Sequence, residues 1–191
     1  MSQSIGGYKL KGRTVAQRLS GFERIPDEAY GTRLSWPVAA LLAHLPDAAP
    51  AWDAAAGDGH LVTNLNALGV ETVGTTDDFL ARYKPPLGTR SLICNPPYGE
   101  KRHGETAIAF IRHALGLRIP IVAFLLAVDF DSAITRQDVF RYCPSFAGKI
   151  VLLRRIVWFS HPDKREAPST NHGWYLWRRD HDGPPIIRYA P

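Results

Sequence analysis

The chain has only two cysteines, Cys94 and Cys143, among 191 residues. That is too few for a disulfide framework or a cysteine-based zinc site. Long apolar runs are also missing. The longest, Ile119 to Val128, has ten residues and stops at Asp129. A membrane-crossing helix needs about 20, so this run reads as a buried strand. No apolar stretch follows the basic residues of the opening MSQSIGGYKLKGR, which therefore does not read as a secretory signal. With 45% hydrophobic and 21% charged residues, the composition is globular rather than disordered. These features describe a soluble, cytoplasmic protein with no membrane partner and a core large enough to fold without staples.

Acidic residues are the minority: 18 Asp and Glu stand against 23 Lys and Arg, for a net charge of +5. Arginine supplies 17 of the basic residues. Its planar fork suits bidentate contacts to phosphate, although genome base composition produces the same richness. The sign of the charge leans toward a nucleic-acid partner. Residues 1–25 carry Lys9, Lys11, Arg13, Arg18 and Arg24 against Glu23 alone, with interspersed glycines. They read as a flexible basic arm, and residues 26–191 as a single domain without internal repeats.

Within that domain, Trp36-Pro37 opens an apolar helical stretch, Val38 to Leu45, which Pro46 stops. Ala51-Trp52-Asp53 reads as the end of a strand, followed by the turn Gly57-Asp58-Gly59. Leu61, Leu65 and Leu68 recur at helical spacing before Gly69. Val70 to Thr75 and Leu92 to Cys94 are strand-like. Ile108, Ile111, Ala114 and Leu115 mark a helix face running from Glu105 to Gly116, ahead of the strand Ile119 to Val128. Such alternation implies an α/β fold with parallel strands and crossover helices. The last third differs. Ile150 to Phe159 and His172 to Trp177, separated by the polar loop Ser160 to Asn171, suggest an antiparallel hairpin at the end of the sheet.

Two familiar nucleotide loops are absent. A dinucleotide fingerprint would place glycine three residues after Gly59, where Val62 stands, and no GxxxxGKS or GxxxxGKT loop occurs. What does stand there is Asp53-Ala54-Ala55-Ala56-Gly57-Asp58-Gly59: an acid at a strand end, small side chains, then a GxG turn into a helix. Small residues let a ligand approach bare backbone, and a helix N-terminus offers free N–H groups. By itself this is as consistent with an ordinary turn.

A more specific signal follows 36 residues after Gly59, in Asn95-Pro96-Pro97-Tyr98. Proline fixes its own φ and drives the residue before it to extended geometry. The Asn95 side-chain oxygen and the Pro96 carbonyl can therefore be held to converge on one ligand, such as an exocyclic NH₂ with two hydrogens to give. Tyr98 adds a flat surface for a planar group.

Together these two motifs resemble the S-adenosylmethionine-dependent amino-methyltransferases, specifically the small phage- and prophage-type adenine-N6 DNA methyltransferases, over about Asp27 to Pro191. The resemblance implies a Rossmann-like class I methyltransferase fold, with a mostly parallel seven-stranded sheet and an antiparallel C-terminal hairpin strand. It implies S-adenosyl-L-methionine as cofactor, its methionine part held by Asp53, Ala54, Ala55, Gly57 and Gly59. Asp77 would bond the ribose, and Asp78-Phe79-Leu80 would contact the cofactor adenine. The family usually puts a helix and a strand between those two acids, and here they are adjacent. Tyr30-Gly31-Thr32-Arg33 resembles the segment that closes over the cofactor, which adds Tyr30 and Thr32. Asn95, Pro96, Pro97 and Tyr98 would be catalytic. No metal site is implied. The large target-recognition domain of restriction-type enzymes is missing, so a homodimer or a separate target-recognition partner fits the small size.

The implied reaction is methylation of adenine N6 in DNA, by in-line displacement driven by positioning. A paired base is out of reach, so the target must be flipped out or single-stranded. The same site would serve an RNA base or a protein glutamine, and a non-catalytic nucleic-acid-binding subunit is a further alternative. Asp129 could line the target pocket or cap a helix. Arg154, Arg155 and Trp158, with Lys164 and Arg165, would offer charge beside aromatics. His161, His172 and His181 lack metal-ligand spacing and read as surface or packing residues, and Trp174 and Trp177 as core.

Overall fold

Pro37 sits in the first turn of α1 (Trp36–Leu42), where a missing N–H costs nothing, and Val38 and Leu41 are buried beneath it. This computed structural model describes residues 31–98, 104–158 and 170–191. The basic arm 1–25, Tyr30, and the loop residues His161, Lys164 and Arg165 lie outside them. After α1 come β1 (Ala51–Asp53), α2 (His60–Ala67), β2 (Thr72–Gly74), β3 (Ser91–Cys94), α3 (Glu105–Gly116), β4 (Ile121–Ala127), β5 (Phe146–Leu152), β6 (His172–Arg178) and β7 (Ile186–Ala190).

The strands form one seven-stranded sheet in the order β2-β1-β3-β4-β6-β5-β7. β1 to β4 are mutually parallel, β6 runs antiparallel to both β4 and β5, and β7 is parallel to β5. Side chains bury on both faces. One core gathers Trp52, Phe79, Leu92, Phe124 and Trp177 with the apolar side of α3. The other gathers Ile93, Leu125, Ile150 and Trp174 with α1 and α2. Double-sided cover explains why β4 reads as an unbroken apolar run rather than an alternating one. The fold is thus α/β and Rossmann-like.

The last third departs from expectation in two ways. β5 starts at Phe146 and stops at Leu152, instead of spanning Ile150 to Phe159. Gly148 hides its beginning: at φ +129 it brings the chain against the backbone of Ile186, where any Cβ would collide. The hairpin also does not close the sheet. Its second strand, β6, inserts between β4 and β5, and the edge belongs to β7, whose exposed Ile186, Ile187 and Tyr189 gave no burial pattern to read.

Topology positions the site. β1 turns to β2 on one side, and the chain then comes back to β3 on the other. Such a switch point opens a crevice at the carboxyl ends of the two central strands. Asp53 ends β1 and Cys94 ends β3, so the glycine turn and Asn95 leave the sheet side by side.

Candidate active site

Asp53 is 1% exposed. Its Oδ1 accepts the Ala55 N–H at 3.2 Å, and the Cys94 thiol lies close enough to favour the charged form of the same carboxyl. Burial pushes the Asp53 pKa up to about 6, and these two groups offset only part of that. Burial also raises the thiol of Cys94, with the Asp53 carboxyl adding to the shift. A carboxyl buried at the end of β1, beside Trp52, Ala54 and Cys94, is costly for folding, and a perturbed acid of this kind marks a candidate site.

In the turn beyond it, Gly57 (φ +48) and Gly59 (φ +76) adopt left-handed geometry that disfavours a side chain, with nothing within 4 Å of where a Cβ would stand. Gly59 stands just before α2, at its N-cap, and no side chain caps the helix. The turn's own amides at Ala56 and Gly59 are satisfied by Thr75 and Ala56 carbonyls. What it offers a ligand is open glycine surface and the first amides of α2.

The Gly31–Leu34 segment runs across this helix start. Asn64 donates from Nδ2 to the carbonyls of Thr32 (2.9 Å) and Leu34 (3.2 Å), and a Cβ on Gly31 would come within 2.9 Å of the His60 ring. Thr32 is 2% exposed, and its hydroxyl has no hydrogen-bond partner among the described residues. Asn64 and His60 escaped the sequence reading because a mid-helix asparagine and a histidine carry no signal of what they will touch.

The Asp77–Phe79 segment divides unexpectedly. Asp77 is exposed and clasped bidentately by Arg82 at 2.6 and 2.8 Å, which holds its carboxyl below the usual range. Asp78 caps a short 3-10 turn, Phe79–Ala81, by accepting the Leu80 N–H at 3.0 Å. Phe79 is in the core, its ring against Trp52, Phe110 and His113. Any ligand contact from this segment therefore falls to the two acids and the backbone, not to the Phe79 ring.

Asn95-Pro96-Pro97-Tyr98 follows β3 directly and is neither helix nor strand, with Pro96 buried and its neighbours half-buried. The Tyr98 hydroxyl accepts the N–H of Ala127, at the end of β4, at 2.8 Å. Its ring meets Phe130 edge-on at 6.3 Å, and the Arg136 guanidinium lies over Phe130 at 3.7 Å. The residues after β4 are fixed by a network invisible in the sequence. Lys149 Nζ donates to the Val128 carbonyl and to both oxygens of Asp131, and the Tyr175 hydroxyl reaches the same carbonyl at 2.8 Å. Asp129 heads a 3-10 turn, but its side chain caps nothing; Ser132 instead donates to its carbonyl.

His172 is buried against Trp158, and burial pushes its pKa down to about 4. Trp174 and Trp177 are core. Among the described residues no His, Cys, Asp and Glu group could hold a metal ion, and no helix is long and apolar enough to cross a membrane. A cavity of 260 Å³, lined by Leu115, Val122, Ser145 and Arg179, opens at the opposite edge of the sheet, away from both motifs.

No protein-family model matches the sequence, and no curated protein matches it. Among solved structures, the chain is similar to a "putative RNA methyltransferase" from Pyrococcus horikoshii, at 14% identity and a TM-score of 0.48, over 72% of this chain and 80% of that one.

Proposed function

We propose that the protein transfers a methyl group from S-adenosylmethionine to the exocyclic N6 amine of adenine in DNA. One observation carries the reading: Asp53 with its glycine turn and Asn95 with its two prolines leave adjacent parallel strands at the same edge. A site for the methyl donor and a site for an NH₂ group are thereby neighbours.

The residues fit the cofactor. The buried Thr32 hydroxyl has no partner among the described residues, and nothing stands within 4 Å of where a Cβ on Gly57 or Gly59 would be. These groups, with Asp53 and the start of α2, would hold the amino-acid end. Asp77 or Asp78 would take the ribose hydroxyls. When bound, S-adenosylmethionine supplies a methyl on a positively charged sulfur, open to displacement by an amine.

The protein's own part is positioning. The Asn95 side-chain oxygen and the Pro96 carbonyl accept the two amine hydrogens, which favours a tetrahedral nitrogen with its lone pair free to attack. The amine so held would take the methyl that the cofactor's sulfur gives up, and its spare proton would pass to solvent. Tyr98 stacks on the extrahelical base. Its tether to Ala127 keeps that surface in place.

The test is tritiated methyl transfer to DNA, RNA and protein substrates, with Asn95→Ala alongside. Label entering DNA as N6-methyladenine, lost in Asn95→Ala while cofactor affinity is kept, is the expected result. Label in RNA or glutamine instead would move the substrate, and absence of cofactor binding would end the reading.

A further inference from the structure

We infer that the surface formed by Trp36, Arg154 and Trp158 holds unpaired nucleotides flanking the target base, so that the natural substrate is single-stranded around its adenine. This rests on the nucleic-acid reading above and narrows its substrate class.

The placement comes from the sheet. β4 and β5 are both antiparallel to β6, so they point the same way, and the turn after Leu152 lies on the edge that carries Asn95. β6 begins there too. Its first residue, His172, pairs with Ala127, whose N–H the Tyr98 hydroxyl accepts. The surface thus shares the carboxyl-terminal edge of the sheet with the proposed base platform. Its indoles pack on the face of α1 and α2 while Tyr98 packs on the face of α3, so a bound strand would cross that edge to reach both.

Its chemistry is flat and cationic. The Arg154 guanidinium lies over the Trp36 ring at 4.9 Å and has no carboxylate partner among the described residues. Trp158 stands edge-on to buried His172 at 5.1 Å. Both indoles are half-buried against the core and so are held still. Arg155 is oriented by Asn171 Oδ1, which accepts from its Nε at 2.7 Å. An acidic protein would need the charges but not the rings. Duplex DNA would present phosphates but keep its base faces stacked on one another. Only an unpaired strand offers phosphates and exposed base faces together, the combination that rigid aromatics interleaved with arginine engage.

The experiment measures anisotropy of short labelled oligonucleotides (single-stranded DNA, the same sequence as duplex, and the RNA version) over a range of salt, with the full chain. Arg154 is exposed, so Arg154→Ala should fold normally, and unchanged cofactor affinity would verify it. Expected are tighter binding of single strands than of duplex, about tenfold weaker single-strand binding in Arg154→Ala, and a slope of log affinity on log salt shallower by about 0.7. Arg154→Lys should recover the slope but not the full affinity, because it restores charge without the plane. Duplex preference, or wild-type affinity in Arg154→Ala, would overturn the inference and leave the methyl-transfer reading standing. No oligonucleotide binding by the wild type would overturn both. Preference for RNA over DNA would support the surface and overturn DNA as the substrate.

Discussion

The Tyr98 hydroxyl accepts the backbone N–H of Ala127 across 2.8 Å, tying the segment after β3 to the end of β4. The phenol does this through an oxygen lone pair, and the bond fixes a ring that would otherwise swing about two side-chain torsions. Phe130 braces the ring edge-on, and Arg136 covers Phe130 in turn.

Tyr98→Phe and Tyr98→Ala separate the tether from the stacking surface. Phenylalanine keeps the ring but orphans the Ala127 N–H, at a cost of about 1 to 3 kcal/mol in stability. Its methyl-transfer rate should fall several-fold. Alanine should lose activity about a hundredfold or more, since the platform itself is gone. Thermal melting and single-turnover transfer would check both; equal activity in the two variants would remove Tyr98 from the mechanism.

Asp53 makes stability depend on pH in a direction opposite to most carboxylates. Below its ordinary value of 3.8 the group is neutral in the folded and the unfolded chain. Between there and about 6 only the unfolded chain releases the proton, so stability falls as pH rises through that window and stays lower above it. The loss is on the order of 3 kcal/mol. Asp53→Asn should therefore melt higher than wild type at pH 8, with little difference near pH 4, while binding the cofactor more weakly. Cofactor affinity of the wild type should rise through pH 6. In Cys94→Ala, which removes the thiol that favours the charged carboxyl, that rise should move to higher pH, and Cys94→Ser should bring it back. Titration calorimetry across pH checks this; a flat profile would contradict the proposed role of the carboxylate.

Thr32 tests the cofactor site from its other wall. Its buried hydroxyl has no partner among the described residues, so Thr32→Val should hold or raise the melting temperature. If the hydroxyl serves the cofactor, the same substitution weakens cofactor binding about tenfold. Unchanged affinity would show that the closing segment contributes shape alone.

Much of this site was legible because its signals are local. Two glycines in left-handed turns and two consecutive prolines dictate backbone geometry whatever surrounds them, and β4 and α3 carry long unambiguous patterns. What escaped depends on partners distant in sequence. Phe79 looks like a ligand-facing residue in its motif, yet α3 and β1 enclose it. Lys149 looks like a solvated charge on a strand, yet it meets Asp131 and Val128. Asn64 gives no hint that it will anchor Thr32 from 32 residues away. β7 is held by backbone pairing to β5 more than by buried side chains, so hydrophobic periodicity could not reveal it.

The interior position of β6 has a consequence for synthesis. A ribosome releases β5 before β6 exists, and β5 then has no neighbour to pair with, because β6 separates it from β4. Phe140 and Phe146, which end up packed on Tyr175 and Trp177, wait uncovered over the same interval. The nascent chain therefore carries an unpaired strand and two bare phenyl rings until β6 emerges. This is the stage at which it most needs a chaperone.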